Sequence, residues 1–189
     1  MTETPVRRRR ADAQRNRDAI LRAAREAFET DGIFAPLDSI ATAAAVGNAT
    51  LYRNFPTRDD LLRAVLEDGV AEMVAESEAY ERVSDAEEAL RDWLFRVTWA
   101  LRIWHDLPNC IATAHDDAGS PVRPVTDRLT DRTAQLLDNY RAGKGPSPVT
   151  AEELFQLVTA VSWAVDRFGD DQDRARRRLE FATAGLFDS

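Results

Sequence analysis

Apolar positions recur along this 189-residue chain at the three-to-four-residue spacing of one helix face. Ile20, Ala24 and Phe28 follow this spacing in the first segment. Gly32 is a typical stop after a helix, so the first helix is predicted over residues 11–31. The same periodicity predicts helices over residues 37–45, 48–55, 58–82, 85–106, 108–116, 122–142, 150–168 and 171–187. No segment alternates as a half-buried strand would, and the predicted fold class is all-α.

Three of the predicted helices begin with the sequence signature of a capping box. In this motif a Ser or Thr hydroxyl accepts from the third helical N–H, and an acidic side chain reaches back to the cap. The candidate pairs are Thr57 with Asp60, Ser84 with Glu87, and Thr150 with Glu153. They support the predicted starts of the periodic segments over residues 58–82, 85–106 and 150–168.

The segment over residues 48–55 carries many hydrogen-bonding side chains for a short helix. Leu51 and Phe55 are four positions apart, so they share one face and can anchor the segment. The outward residues are Asn48, Ala49, Thr50, Tyr52, Arg53 and Asn54. This composition is typical of a helix that is presented to a partner.

Charge is distributed unevenly along a chain whose net charge is −8. Residues 1–58 carry a net charge of +3, whereas residues 59–189 carry −11. The most basic stretch is the run Arg7–Arg10, which lies in a predicted flexible arm over residues 1–11. Such a run is either a solvated tail or an arm that touches nucleic-acid phosphates, and it does not decide between them by itself.

The first three predicted helices have the layout of a helix-turn-helix. A long helix is followed by a short helix, a turn through Val46 and Gly47, and the polar helix over residues 48–55. Ile40 and Leu51 can fill a small core between the helices. An ordinary three-helix corner would give the same pattern, so both interpretations stay open at this point.

The same residues resemble a known family. The stretches RDAILRAAREAFETDGI and IATAAAVGNATLYRNFPTRDDLL look like the N-terminal domain of tetracycline-repressor-type (TetR-family) regulators. The resemblance covers about residues 12–66, and TLYRNFP before a charged helix start is its most specific part. It implies a DNA-binding domain over residues 12–57 and a ligand-sensing and dimerisation domain over residues 58–189.

The resemblance implies a role for each polar residue of the third helix, which in this family enters the DNA major groove. Thr50 and Tyr52 are expected to contact phosphate or sugar, as is Arg58 at the start of the next helix. The residues expected to face base edges are Asn48, Ala49, Arg53 and Asn54. Two such helices, one per subunit, would occupy major grooves about 34–36 Å apart on a near-palindromic double-stranded operator.

Two positions depart from the family pattern. The second helix begins with Leu37 and Asp38, where the family usually offers a Ser or Thr to a phosphate. Asp38 can cap that helix but would repel phosphate, so we expect no DNA contact there. Asn48 and Ala49 stand where the family commonly has Lys or Gly, which is expected to alter the operator sequence but not the mode of binding.

The segment over residues 150–168 is apolar around much of its circumference, although a surface helix needs only one apolar stripe. It must be covered on more than one side, by residues 171–187 and by a further surface. The resemblance implies a four-helix dimer interface made by these two segments of each subunit. The candidate interface residues are Phe155, Val158, Trp163, Leu179 and Leu186. The buried core of a monomer is the alternative.

The predicted helix over residues 85–106 carries large apolar residues on two sides. Trp93 and Trp104 share one side, and Trp99 lies on the other. Such aromatic residues form either plain core or the wall of a cavity. In the second interpretation, residues 61–140 enclose a small, largely apolar or aromatic ligand. The candidate ligand-binding residues are Met73, Trp93, Trp99, Trp104, His105, Cys110, His115 and Tyr140.

Other classes of function lack their sequence signatures. The five-residue spacing of His105, Cys110 and His115 suits neither one helix face nor a usual zinc site. No nucleophile elbow and no glycine-rich phosphate loop occurs. We therefore predict no catalytic site, no metal and no cofactor. A helical protein-interaction module that does not bind DNA is the alternative to a DNA-binding regulator.

Compartment and membrane association follow from the same composition. No apolar run reaches the roughly 18 residues of a membrane span, and the charged N-terminus lacks the apolar stretch of a secretory signal. A single cysteine, Cys110, excludes an intramolecular disulfide and suits a reducing compartment. These features predict a cytoplasmic protein. With the resemblance, they predict a homodimeric repressor that a small ligand releases from its operator.

Overall fold

The computed structural model describes residues 5–83, 85–102, 104, 107, 111, 119–120, 122–145 and 148–187. Within these ranges the chain forms eight helices and no strand, which confirms the all-α prediction. The helices are α1 Pro5–Asp31, α2 Leu37–Ala43, α3 Asn48–Asn54, α4 Arg58–Val83, α5 Ala86–Leu101, α6 Arg123–Lys144, α7 Ala151–Arg167 and α8 Gln172–Phe187. Of these eight helices, none is both long and apolar enough to span a membrane.

Three predicted segments differ from the structure or lie outside it. α1 begins at Pro5, so residues 5–11 are helical and do not form the predicted flexible arm. α5 ends at Leu101, short of the predicted end at residue 106. The predicted helix over residues 108–116 lies outside the described residues except for Ile111.

The chain divides into two compact units, residues 1–66 and residues 67–189. This division falls inside α4, whereas the sequence prediction placed it after residue 57. The first turns of α4 explain the difference. Leu61 and Val65 are buried there and belong to the first unit, so the DNA-binding domain implied by the resemblance includes the beginning of α4.

The first unit is built on a small apolar core. α1, α2 and α3 pack on one another, and the predicted core residues Ile20, Phe28 and Ile40 are fully buried. The Arg17 guanidinium lies 4.5 Å from the centroid of the Phe55 ring, a cation–π contact that joins α1 to the end of α3. This core holds the short helix α3 in place.

The second unit is a helical bundle in which α5 packs against α6, α7 and α8. Trp93 of α5 is fully buried in this bundle. Its indole N–H donates to Thr133 Oγ1 of α6 at 2.9 Å, and the Thr133 hydroxyl donates to the Leu129 carbonyl at 2.8 Å. The polar atom of the largest core side chain is therefore satisfied, as burial requires.

Two of the three predicted capping boxes are present. Thr57 Oγ1 accepts from the Asp60 N–H at 3.0 Å, and the Asp60 carboxylate accepts from the Thr57 N–H at 3.1 Å. Thr150 and Glu153 form the equivalent pair at the start of α7. α5 is capped differently, because Asp85 accepts from the N–H of the third helical residue at 2.8 Å. Ser84 of the third predicted box lies outside the described residues.

Candidate nucleic-acid interface

α3 is a seven-residue helix held by one apolar face. Leu51 and Phe55 are buried in the first unit, which confirms their predicted role as anchors. Gly47 precedes the helix in an extended conformation, and Phe55 ends it with its own N–H on the Leu51 carbonyl. Because only one face is anchored, the other faces of α3 are available to a partner.

The polar residues predicted to face outward form the free surface of α3. Asn48, Ala49, Tyr52 and Arg53 are exposed, whereas Thr50 and Asn54 are half-buried. The Tyr52 side chain is 46% exposed, a large fraction for an aromatic residue of a folded unit. The first unit thus presents a phenol, a guanidinium and two amides on one short helix.

Two of these side chains fold back on α3 itself. Arg53 Nε donates to the Ala49 carbonyl at 3.1 Å, and Arg53 Nη2 donates to Thr50 Oγ1 at 2.9 Å. Asn54 Nδ2 donates to the Thr50 carbonyl at 2.8 Å. Breaking one hydrogen bond of this kind costs about 0.5–1.5 kcal/mol, so contacts with a partner can replace these bonds and both side chains can turn towards it.

Asn48 is held from outside α3. Its Nδ2 donates to Asp38 Oδ1 at 2.9 Å, and this bond joins the first turn of α3 to the first turn of α2. Asp38 does not cap α2, because the N-cap is Pro36 and no side chain makes the capping bond. The sequence interpretation of Asp38 as a cap is therefore wrong, and the carboxylate instead accepts a hydrogen bond from Asn48 of the neighbouring helix.

The structure gives Arg58 a role inside the first unit. Its Nη1 donates to the Ile33 carbonyl at 3.1 Å and to the Ala35 carbonyl at 2.6 Å, so it fixes the loop between α1 and α2. Both bonds use Nη1, and the phosphate contact that the family resemblance implies for Arg58 stays a prediction.

The turn between α2 and α3 contains a feature that sequence reasoning missed. Ala45 has a φ of 55°, in the left-handed region that costs a non-glycine residue roughly 1–2 kcal/mol. The Ala45 N–H donates to the Thr42 carbonyl and the Val46 N–H to the Ala41 carbonyl, both at 3.0 Å. These two hydrogen bonds hold the turn that packs α3 against α2. Ala45 is strained in this turn, whereas a glycine would adopt the same φ without strain.

Several of the predicted ligand-binding residues are part of the packed core of the second unit. Trp93 makes the buried hydrogen bond described above, and the Tyr140 hydroxyl donates to the Leu186 carbonyl at 3.2 Å. These polar atoms are already used inside the chain. Met73 and Trp104 are also buried. Trp99 is half-buried, with the Arg102 guanidinium 3.2 Å from its ring centroid.

The remaining three predicted ligand-binding residues, His105, Cys110 and His115, lie outside the described residues. Across the part of the chain that the structure describes, no group of three or more His, Cys, Asp or Glu side chains could hold a metal ion.

A groove of about 160 Å³ lies between α5 and α8. The Arg91 guanidinium lies 3.7 Å from the ring centroid of Phe187, and the Arg176 guanidinium lies 4.0 Å from that of Phe95. Arg176 also pairs with Asp92 at 3.3 Å. This groove differs from the cavity predicted within residues 61–140, because half of its wall belongs to α8 and its lining is strongly charged.

The predicted dimer interface needs the largest correction. Phe155, Val158, Leu179 and Leu186 are buried within the single chain, so they form its core and not a surface for a second copy. Trp163 alone among the five candidates is exposed, at 53%. Phe181 of α8, which the prediction did not include, is 88% exposed. α7 and α8 thus carry exposed apolar side chains that include Trp163 but none of the other four predicted residues.

A short polar helix, set against a second short helix by a tight turn and anchored on an apolar core, defines a helix-turn-helix DNA-binding unit. Two family models match this chain, one in each unit. The family model described as bacterial regulatory proteins, tetR family, matches residues 20–65, and the model for the C-terminal domain of SbtR-like transcriptional regulators matches residues 85–187. The chain belongs to the TetR family of transcriptional regulators.

Solved structures have the same architecture. A TetR transcriptional regulator, SCO0520 from Streptomyces coelicolor, is 29% identical, with a TM-score of 0.62 over 90% of this chain and 97% of the other. A TetR-family regulator from a Rhodococcus species is 21% identical, with a TM-score of 0.71 over 90% and 97%. FadR from Bacillus subtilis, solved in complex with stearoyl-CoA, is 15% identical, with a TM-score of 0.67 over 88% and 97%. The last two show the fold alone.

A search of curated protein sequences finds no match. The family matches confirm the predicted class of transcriptional regulator. Neither the family matches nor the structural comparisons support the alternative of a helical module that does not bind DNA.

Proposed function

We propose that this regulator is a homodimeric repressor that binds a near-palindromic operator through α3. The observation that carries the proposal is the free polar surface of α3 above two buried anchors. Thr50 and Tyr52 contact phosphate or sugar, which positions the protein without reading sequence. The base-reading residues are Asn48, Ala49, Arg53 and Asn54, with the arginine suited to guanine and the asparagines to adenine. We further propose that the protein works in the cytoplasm, where bacterial DNA lies.

The exposed apolar surface of α7 and α8 supports the dimer. Leu157 and Trp163 of α7 and Phe181 of α8 are exposed large hydrophobic residues, and Ala160 lies at helical spacing between the first two. α7 and α8 pack on each other, and large exposed apolar side chains on neighbouring helices often mark an interface with another chain. Covering the patch with its copy gives a four-helix interface, in which the small alanine lets the helices approach closely.

The second unit is the proposed sensor of a small, largely apolar or aromatic ligand. A structural neighbour, the Bacillus subtilis FadR, was solved with stearoyl-CoA. The proposed site includes Met73, Trp99 and Trp104, with His105 and His115 as polar partners. Ligand binding favours a spacing of the two α3 helices that no longer fits the operator. The affinity for DNA then falls by a coupling free energy of typically about 1–3 kcal/mol.

A gel-shift titration tests both parts of the proposal. The full chain is titrated against the DNA upstream of its own gene and against an unrelated duplex, and apolar compounds are then added to the complex. We expect a specific complex that at least one compound dissociates while quenching tryptophan fluorescence. Equal affinity for both duplexes would contradict operator binding. A specific complex that no compound in a broad panel releases would contradict the sensor role.

A further inference from the structure

Asn48 differs from the other amide and the guanidinium of α3 in what holds its side chain. Arg53 and Asn54 bond to atoms of α3 itself, whereas Asn48 bonds to Asp38 of α2 at 2.9 Å. Both partners are exposed, so this bond does not contribute to a buried core. It sets the orientation of one side chain at the start of the helix that faces DNA.

The chemistry of the two groups fixes which way the Asn48 amide points. An ionised carboxylate only accepts hydrogen bonds, whereas an amide has an NH₂ that donates and an oxygen that accepts. Asp38 therefore holds the NH₂ side of Asn48. The amide oxygen Oδ1 and the second N–H of Nδ2 are left for a partner. Without Asp38 the amide could rotate by half a turn and present its groups in the opposite order.

We propose that Asp38 is a positioning residue for sequence reading, which fixes the Asn48 amide so that it selects adenine. This rests on the proposed function, in which α3 enters the major groove. Adenine presents an N6 donor and an N7 acceptor side by side. Asn48 Oδ1 accepts from N6, and the second N–H of Asn48 donates to N7 while the first stays on Asp38. Guanine offers two acceptors to the same amide, so one of them meets the Oδ1 lone pairs.

The charge of Asp38 gives this role a distinctive signature. A carboxylate at the edge of the interface repels phosphates and lowers affinity for every duplex by a similar factor. The carboxylate improves discrimination only at the one base pair that Asn48 contacts. Removing the carboxylate should therefore change two quantities in opposite directions: affinity for unrelated DNA rises, and discrimination at one position of each half-site falls. If Asp38 had only a structural role, its removal would not produce these two opposite changes together.

The test uses the full-length protein and its preferred sequence, selected from duplexes with randomised positions. Dissociation constants are measured for that duplex, for its single-base variants and for an unrelated duplex. For Asp38→Asn we expect tighter binding to the unrelated duplex and about tenfold weaker discrimination against guanine at the adenine, within the range of one bidentate contact. Asp31→Asn is the control, since it removes the same charge from an exposed residue of the first unit and should keep the discrimination.

A second pair of variants tests whether Asp38 acts through Asn48. In an Asn48→Ala background, Asp38→Asn should raise affinity for unrelated DNA as before but cause no further loss of discrimination. Unchanged discrimination in Asp38→Asn, or a loss that persists without Asn48, would overturn the inference and leave operator binding intact. A wild-type protein that selects no sequence would refute the proposed function itself. Unfolding curves of all variants should coincide, because both side chains are exposed.

Discussion

Each unit of this protein presents a helical surface that its own core does not cover, and the two surfaces are opposite in character. α3 shows amides, a phenol and a guanidinium above two buried anchors. α7 and α8 show large apolar side chains, such as Trp163 and Phe181, above a complete core. Exposed polar side chains can exchange their hydrogen bonds to water for hydrogen bonds to base edges and phosphates. Exposed apolar side chains lower the free energy only when they are removed from water. A second copy of the same surface can cover them in this way.

The largest expected effect separates anchors from presented residues. Phe55→Ala removes a buried aromatic ring from the small first unit and should destabilise it by about 3–5 kcal/mol, with loss of DNA binding. Denaturant unfolding followed by circular dichroism measures the change. Phe34→Ala is the matched control, because the same truncation at a 68% exposed position of the same unit, away from the proposed dimer surface, should leave the stability nearly unchanged. Equal stability losses in the two variants would contradict the distinction.

The second prediction concerns the apolar surface. Trp163→Glu would place a charge in a desolvated dimer interface, at a cost of about 3–5 kcal/mol if it stays unpaired. We expect monomers by light scattering and loss of operator binding, although the first unit is unchanged. Trp163→Phe keeps an apolar ring and should keep the dimer. A well-folded dimer of Trp163→Glu would show that the subunits associate elsewhere.

The third prediction concerns the polar surface. Tyr52→Ala should weaken binding to all duplexes by a similar factor, because a phosphate contact carries no sequence information. A hydrogen bond to a charged group contributes about 1.5–3 kcal/mol, so the loss should be at least tenfold. Tyr52→Phe removes only the hydroxyl and so separates its contribution from that of the ring. For Tyr52→Ala, a plot of log affinity against log salt concentration should be no steeper than for the wild type. Undiminished affinity of correctly folded Tyr52→Ala would remove α3 from the interface.

The smallest expected effect compares one cap from each unit. Thr57→Ala and Thr150→Ala each remove an N-cap hydroxyl and should cost about 1 kcal/mol of unfolding free energy. The Thr57 hydroxyl lowers the pKa of Asp60, and the Thr150 N–H lowers the pKa of Glu153. Because the folded pKa values are depressed, this stabilisation is complete above the ordinary carboxyl range and is lost as the pH falls through the lowered values. Thr57→Ala removes the group that lowers the pKa of Asp60 most, so its unfolding free energy should depend less steeply on acidic pH than that of the wild type. Thr150→Ala keeps the backbone N–H that acts on Glu153, so its pH dependence should change less. A pH dependence of Thr57→Ala identical to that of the wild type would contradict the role of this cap.

The two surfaces were not equally predictable from sequence. α3 has two large apolar residues in one register, so Leu51 and Phe55 leave a single arrangement for the polar residues around them. α7 is apolar on several sides, and periodicity alone cannot tell which stripe meets its own core. Phe155 and Val158 were therefore assigned to the dimer surface although the chain itself covers them.

Long-range polar contacts were the other limit of sequence reasoning. Arg58 reaches carbonyls 23 and 25 residues earlier in the chain, and Asp38 reaches an amide 10 residues later. No local pattern encodes such partners, because they depend on how the helices pack. The helix caps, by contrast, join residues three apart, and the pairs starting at Thr57 and Thr150 were predicted correctly.

The central claim is that α3 carries operator recognition in a dimer, and one measurement tests it most directly. The full-length protein is bound to its own upstream DNA and the contacted bases are mapped by footprinting. We expect two protected half-sites about one helical turn apart, and loss of both with Tyr52→Ala. Protection of a single site, or a footprint that persists in Tyr52→Ala at the same protein concentration, would contradict the account.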